Sequence, residues 1–547
     1  MADEAAWADV AGAAEALRGR RISGLFAADP RRVDRYSVSL DSLHLDYSRH
    51  LLDDRARDAL LTLAGVAGLP GWIESLFTGD TVNATEGRPA LHTAMRGFDP
   101  HAVIEVDGEN VVPAILRERE RLAAFVGAFE RGELLGASGE RLDTVVNLGV
   151  GGSDLGAAMA TEALAACRLA GIATHFVSGM DGVQLADVLA RLDPARTLFI
   201  ISSKSFGTAD TLGNAAVMRE WLCSRLGEDA VAHHVAAVSA NARAMEAWGV
   251  APAYRFPLQP WVGGRYSVSS AVGLPLALGV GWRNFLAFLG GMEEMDRHFR
   301  EAPLPHNMPV VMGLLAVWHR NALDCHCHVV LPYDHRLARF PAYLQQLEME
   351  SNGKSVTRDG QPVDRATAPV LFGDFGGNAQ HSFLQLLHQG TEPVSADFLL
   401  PVAADAGTTG QRNLALANGL AQARALMEGR DAAAARRSME AAGLPAGRIA
   451  ALLAHRTQPG NRSSSTLLFP CLDPRHLGML IALYEHRAFV QAVLWEINPF
   501  DQWGVELGKR MADDLVDAVA GTAPVPGDAD PSTAALITRI RRLRGSE

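Results

Sequence analysis

The stretch Thr144-Val145-Val146-Asn147-Leu148-Gly149-Val150-Gly151-Gly152-Ser153-Asp154-Leu155-Gly156 decides the fold. A short run of β-branched and apolar residues meets a glycine-rich turn, and an apolar helical pattern follows. Strand, tight turn and helix in that order open a βαβ unit. Outward from it, strands are predicted over 144–148, 174–177, 197–202 and 234–238, alternating with helices over 155–169, 183–192 and 211–226. After a Gly/Pro-rich passage at 260–305 the alternation restarts: helix 309–322, strand 326–331, helix 338–350 and strand 369–372. Segments at 380–387, 397–402, 410–427 and 466–469 continue it, and a long helical part begins at 474. Such alternation implies parallel sheets covered on both faces. The expected fold class is α/β: two tandem doubly wound parallel-sheet domains with helical N- and C-terminal extensions. The expected divisions are a helical extension packed on the larger domain (1–110), a first, smaller domain (111–285), a second, larger domain (286–510) and a helical tail (511–547).

At 547 residues the chain exceeds one ordinary core. With 48% hydrophobic and 20% charged residues it is globular and not disordered. A net charge of −12 argues against nucleic acid or an anionic membrane as the main partner, though not against a local anion pocket. Five cysteines, an odd number in so long a chain, point to a reducing compartment. The acidic start Met1-Ala2-Asp3-Glu4 lacks the order of a signal peptide, and the longest apolar stretch, 270–282, is too short to span a bilayer. The expected location is the cytosol. Lys204, Lys354 and Lys509 are the only lysines among 50 basic residues. Where arginine has replaced lysine so widely, a retained lysine marks either a place that needs a compact ammonium and not a planar fork, or a chance survivor on the surface.

The turn at Gly149 lets backbone N–H groups approach an anion at a helix start. A dinucleotide fingerprint needs glycine at 154, where this chain has aspartate, so a nicotinamide reading is disfavoured. The next strand ends in Ser202-Ser203-Lys204-Ser205-Phe206-Gly207-Thr208, hydroxyls and an ammonium suited to a phosphate monoester, without Walker spacing. Val262-Gly263-Gly264-Arg265-Tyr266-Ser267 carries an arginine able to stabilise a delocalised anion or to serve a structural ion pair. Gln346 and Glu350, four apart, are expected on one helix face, with Glu350 near a helix end as a candidate base. His381 is expected at the opening turn of a helix as a neutral proton shuttle, with His388 its rival on the same face. Gln502 and Lys509, seven apart, are expected on one side of another helix. Asp324-Cys325-His326-Cys327-His328 reads as a strand with cysteines on one side and histidines on the other, so no metal site is expected.

These segments, with Leu331-Pro332-Tyr333-Asp334, Met349-Glu350-Ser351-Asn352-Gly353-Lys354, Leu386-Leu387-His388-Gln389-Gly390-Thr391 and Phe500-Asp501-Gln502-Trp503-Gly504-Val505-Glu506-Leu507-Gly508-Lys509, strongly resemble the glucose-6-phosphate isomerase family. The resemblance runs from about Asp46 to Lys509. It implies two sugar-isomerase (SIS-type) αβα-sandwich domains, a homodimer, and interconversion of glucose 6-phosphate and fructose 6-phosphate without metal or organic cofactor. By motif it implies Glu350 as the base of a cis-enediol mechanism and Arg265 as the stabiliser of the intermediate's charge. His381 and Lys509 assist ring opening, the histidine contributed by the partner subunit. Gly152, Ser153, Ser203, Lys204, Ser205 and Thr208 hold phosphate and nearby hydroxyls, while Gln346 and Gln502 line the sugar. The chain reads Ser205, Gly207 and Asp210 where the family usually has Thr, Thr and Glu. A non-catalytic sugar-phosphate sensor on the same fold would need no base, and the presence of Glu350, His381 and Lys509 with their neighbours favours an enzyme.

Overall fold

The computed structural model describes residues 4–545; the first three and last two residues, which the expected terminal extensions include, lie outside the described residues. The chain divides into two compact units, Met1–Pro499 and Phe500–Glu547.

The first unit holds both large sheets. An antiparallel hairpin, β1 (Ser37–Leu40) and β2 (Leu43–Arg49), comes first in the chain. Then β3 (Thr144–Leu148), β4 (Ala173–Val177), β5 (Thr197–Ser202), β6 (Val235–Ser239) and β7 (Arg255–Pro257) form a sheet ordered β4-β3-β5-β6-β7, parallel throughout. Strands β5 and β6 are buried at every residue, as a sheet covered on both faces requires. Helices α1 (Leu155–Ala163) and α2 (Ala209–Leu226) follow β3 and β5. Because β3 is flanked by β4 on one side and β5 on the other, the winding reverses between β3 and β5. Open α/β sheets bind ligands in the crevice beyond the carboxyl ends of strands at such a reversal.

The second sheet contains β8 (Cys327–Pro332), β9 (Val370–Gly373), β10 (Val394–Pro401) and β11 (Ser464–Phe469), in the order β1-β2-β11-β10-β8-β9. Its four later strands are parallel, and β2 pairs antiparallel with β11. The first 110 residues are therefore not helical throughout. Alternation of Leu43, Leu45 and Tyr47, all buried, with His44 and Asp46 makes β2 a strand, and its pairing makes this sheet mixed instead of purely parallel.

Helix α3 (Trp282–Glu301) crosses the division expected at 285/286, starting where Gly281 ends the preceding helix with φ +87°. It packs along α5 (Pro474–Leu494), far along the chain from it and from the short α4 (Phe340–Gln345), with further helices in between. Glycines make the α3–α5 approach possible: a Cβ at Gly291 would sit 1.9 Å from Arg475 O. Buried Arg96 joins the two helices by ion pairs to Asp296 and Glu485. By length and composition α5 could cross a membrane, a feature longer than the 270–282 stretch, yet its apolar window is wholly buried inside the protein. In the second unit, α6 (Glu506–Ala520) and α7 (Pro531–Leu543) are held together where Arg541 donates to Ala518 O and Ala523 O.

Candidate active site

Beyond β3 the chain makes a tight turn, Gly151–Ser153, with Gly151 at φ +60°. Gly152 meets the Arg265 loop backbone to backbone: a Cβ there would lie 2.2 Å from the carbonyl carbon of Gly264, so no larger residue fits. Ser267 Oγ fastens the contact, donating to Gly264 O at 2.6 Å and Gly152 O at 3.3 Å. Buried Asn147 links the two strand ends, its Nδ2 donating to Ser153 O at 3.0 Å while its Oδ1 accepts from Ser202 Oγ at 2.8 Å. Asp154, next in the turn, is buried, and loss of solvent raises its carboxyl to about 6.

The turn after β5 carries Ser203, whose hydroxyl lies 3.1 Å from that of Thr208, and the exposed Ser205. Phe206 holds the turn with φ +50° and a buried ring. Lys204 Nζ donates to Pro260 O at 3.0 Å and Val262 O at 2.9 Å, bracing the loop that leads to Arg265. Burial first, then Arg88 and Arg265, lowers this ammonium to about 8, with Glu86 opposing.

Arg265 is buried and spreads its fork in three directions: Nη1 lies 3.2 Å from Glu350 Oε1, Nε donates to Ser351 Oγ at 2.7 Å, and Nη2 donates to Pro499 O. Its side chain is 1% exposed against 24% for Glu350, so the carboxylate keeps an open side. The helix expected over 338–350 ends in a π-turn, Gln346–Glu350, a device that recurs at functional sites. Within this wider turn Glu350 faces the Arg265 guanidinium. Gln346 Nε2 lies over Gly151, and its Oε1 is buried without a hydrogen-bond partner. Gly151, Gly152, Arg265, Gln346 and Glu350 therefore converge at the winding reversal. Lys354 Nζ donates to Glu350 O at 3.2 Å, Ser351 O at 2.8 Å and Asn498 O at 2.9 Å, tying down the end of the turn.

Other residues depart from expectation. His381 does not open a helix: it is exposed and follows the four-residue helix Gly376–Ala379, before the next begins at Leu384. The break also removes the shared face with His388, which pairs with Gln422 at 2.8 Å. In the second unit Gln502 precedes a 3₁₀ turn, Trp503–Val505, and only then does α6 begin, so helical stacking with the exposed Lys509 does not hold. On β8, His328 bonds Ser395 and Asp397. Among the described residues one group has metal-ligand spacing, Cys471, Asp473 and His476, and its members hydrogen-bond one another beside the start of α5.

Sequence reasoning missed the segment 83–96. Asn498 Nδ2 donates to Asn83 Oδ1 and Thr85 Oγ1, both at 2.8 Å. Arg88 pairs with Glu86, close enough for both to act on Lys204, and the His92 ring lies 4.7 Å from that of Tyr266. The only local signal is a density of polar residues with no helical or strand period.

A glycine-floored turn, a hydroxyl-rich turn and a carboxylate–guanidinium pair, all at the winding reversal, place the chain among doubly wound α/β enzymes. The sequence profile described as Phosphoglucose isomerase matches residues 46–537, and the chain belongs to that family. It is 48% identical to a glucose-6-phosphate isomerase of Methylocella silvestris over 524 residues, 96% of this chain and 95% of the other. It is equally 48% identical to one of Frankia casuarinae, over 95% of this chain and 93% of the other. The crystal structure of a glucose-6-phosphate isomerase from Chlamydia trachomatis matches with a TM-score of 0.83 at 29% identity, covering 98% of each chain.

Proposed function

We propose that this protein interconverts glucose 6-phosphate and fructose 6-phosphate; its relatives are named glucose-6-phosphate isomerase. The observation that carries the reading is the Glu350–Arg265 pair at 3.2 Å, beside the Gly151–Ser153 turn at the winding reversal. An aldose and a ketose differ by one proton between C1 and C2 and a second between their oxygens. Glu350, open on one side, takes the proton from one carbon and returns it to the other. Arg265 already faces that carboxylate and stabilises the enediolate that forms between the two transfers. Gly152, Ser153, Ser203, Lys204, Ser205 and Thr208 hold the phosphate, and Gln346 and Gln502 line the sugar. His381 and Lys509 assist ring opening. The enzyme is read as a cytoplasmic homodimer, with neither nucleic acid nor membrane as partner, in which His381 serves the partner's site.

Sharing of His381 has a direct test. Glu350→Gln and His381→Ala homodimers are each expected to lose at least ~10²-fold in turnover. Coexpressed at equal levels they form mixed dimers in which one of two sites has both groups intact, so about a quarter of wild-type activity returns. No recovery, with mixed dimers shown by differential tags, contradicts the shared site.

Lys204 gives a pH signature. Burial brings its ammonium down to about 8, so phosphate loses a cation as pH rises through that value. KM is expected to climb between pH 8 and 9.5 while kcat changes less, and Lys204→Met, neutral throughout, is expected to start from a raised KM and lose the climb. A KM that is flat in the wild type over this range rules out the phosphate role.

A further inference from the structure

The turn that carries Glu350 has a charged inner face. Glu348, two residues earlier and so directed away from Glu350, is 2% exposed, and its Oε1 has no hydrogen-bond partner. Helix α5 packs against this turn, as do β9 and the Gly264–Tyr266 turn. Asn352 Nδ2 donates to Ala488 O at 3.0 Å, one residue from the buried Arg487. Arg487 Nη1 lies 3.7 Å from Asp397 Oδ2, beyond direct hydrogen bonding, and its Nε and Nη1 have no hydrogen-bond partner. Asp397 also accepts from Tyr484 Oη at 2.9 Å and lies 2.9 Å from His328 Nε2. Both polar atoms of the buried Gln491, one turn along α5, and Asn352 Oδ1 are likewise unpartnered.

Burial works against the Arg487 charge, and the facing Glu348 and Asp397 overcome it, holding the guanidinium above its ordinary range. A buried polar atom left alone loses its hydration with nothing in return. The orphans here are complementary: a guanidinium, a carboxylate and two amides. Ordered internal water satisfies such groups across gaps too wide for direct contact. Buried charge pairs contribute little net stability compared with apolar packing; their best-attested use is to fix a register.

We propose that Arg487 is a positioning residue for the isomerisation: with Glu348, through internal water, it forms a strut between α5 and the π-turn that sets the angle at which Glu350 meets the substrate. The inference rests on Glu350 as the base. A displacement of about 1 Å in such a group can cost ~10²-fold.

The test compares Arg487→Gln, Glu348→Gln, the double variant and Glu350→Gln in steady-state kinetics, with thermal melts to establish folding. Each strut variant is expected to lose ~10–100-fold in kcat with KM within about twofold, and the double variant to be no worse than the poorer single. Where a Gln variant does not fold, Arg487→Lys or Glu348→Asp gives the same readout. The strut is overturned if folded single variants keep kcat within about twofold while Glu350→Gln is inactive, or if their losses multiply in the double variant. An active Glu350→Gln instead overturns the base, and the strut with it.

Discussion

Glu350→Gln is expected to lower turnover at least ~10²-fold while sugar-phosphate affinity stays within a few-fold of wild type. The amide keeps the size and shape of the carboxylate but cannot accept the proton that must leave carbon. Arg265 retains Ser351 Oγ and Pro499 O in the variant, so the loop has no reason to move. Exchange of substrate C2 hydrogen with deuterated water gives a second readout, present in the wild type and lost in the variant. Turnover close to wild type refutes Glu350 as the base.

Arg265→Lys is expected to lose at least ~10²-fold in kcat although the positive charge remains. The arginine satisfies a carboxylate, a hydroxyl and a carbonyl in three directions at once, nearly without solvent. One ammonium on a flexible stem cannot reproduce that fork. Glu350 then loses its fixed neighbour and the intermediate loses its countercharge. Steady-state kinetics decide it: a variant within about tenfold of wild type means that Arg265 only shapes the loop.

The regular core of this fold was readable because its strands are continuous apolar runs ended by glycine-rich or hydroxyl-rich turns. β3 and β5 are found as expected, and the loops after them meet at the winding reversal. The hairpin of β1 and β2 was overlooked because short half-exposed strands carry only a period-two pattern, here lying between helices. The π-turn was not legible either. Over five residues its wider winding leaves no periodicity distinct from an α-helix, and the charged face of α5 that packs against it is more than 130 residues away in sequence. Segment 83–96 has partners as distant as Asp296, Glu485 and Asn498, and no local pattern can announce them.

Lys204 and Lys354 each send one ammonium to several converging carbonyl oxygens, two for Lys204 and three for Lys354. A tetrahedral ammonium fits such a carbonyl cage and a planar guanidinium does not. Both lysines therefore brace loops that present site residues, whatever Lys204 also does for phosphate.

The most direct test of the functional reading is conversion of fructose 6-phosphate to glucose 6-phosphate by the purified, chelator-treated protein, followed by coupling the product to its dehydrogenase. The expected result is full isomerase activity that added divalent metal does not raise, abolished in Glu350→Gln prepared the same way. No glucose 6-phosphate from folded wild-type protein, with or without metal, contradicts the assignment; activity that returns only on adding metal contradicts the proton-transfer chemistry assigned to Glu350 and Arg265 alone.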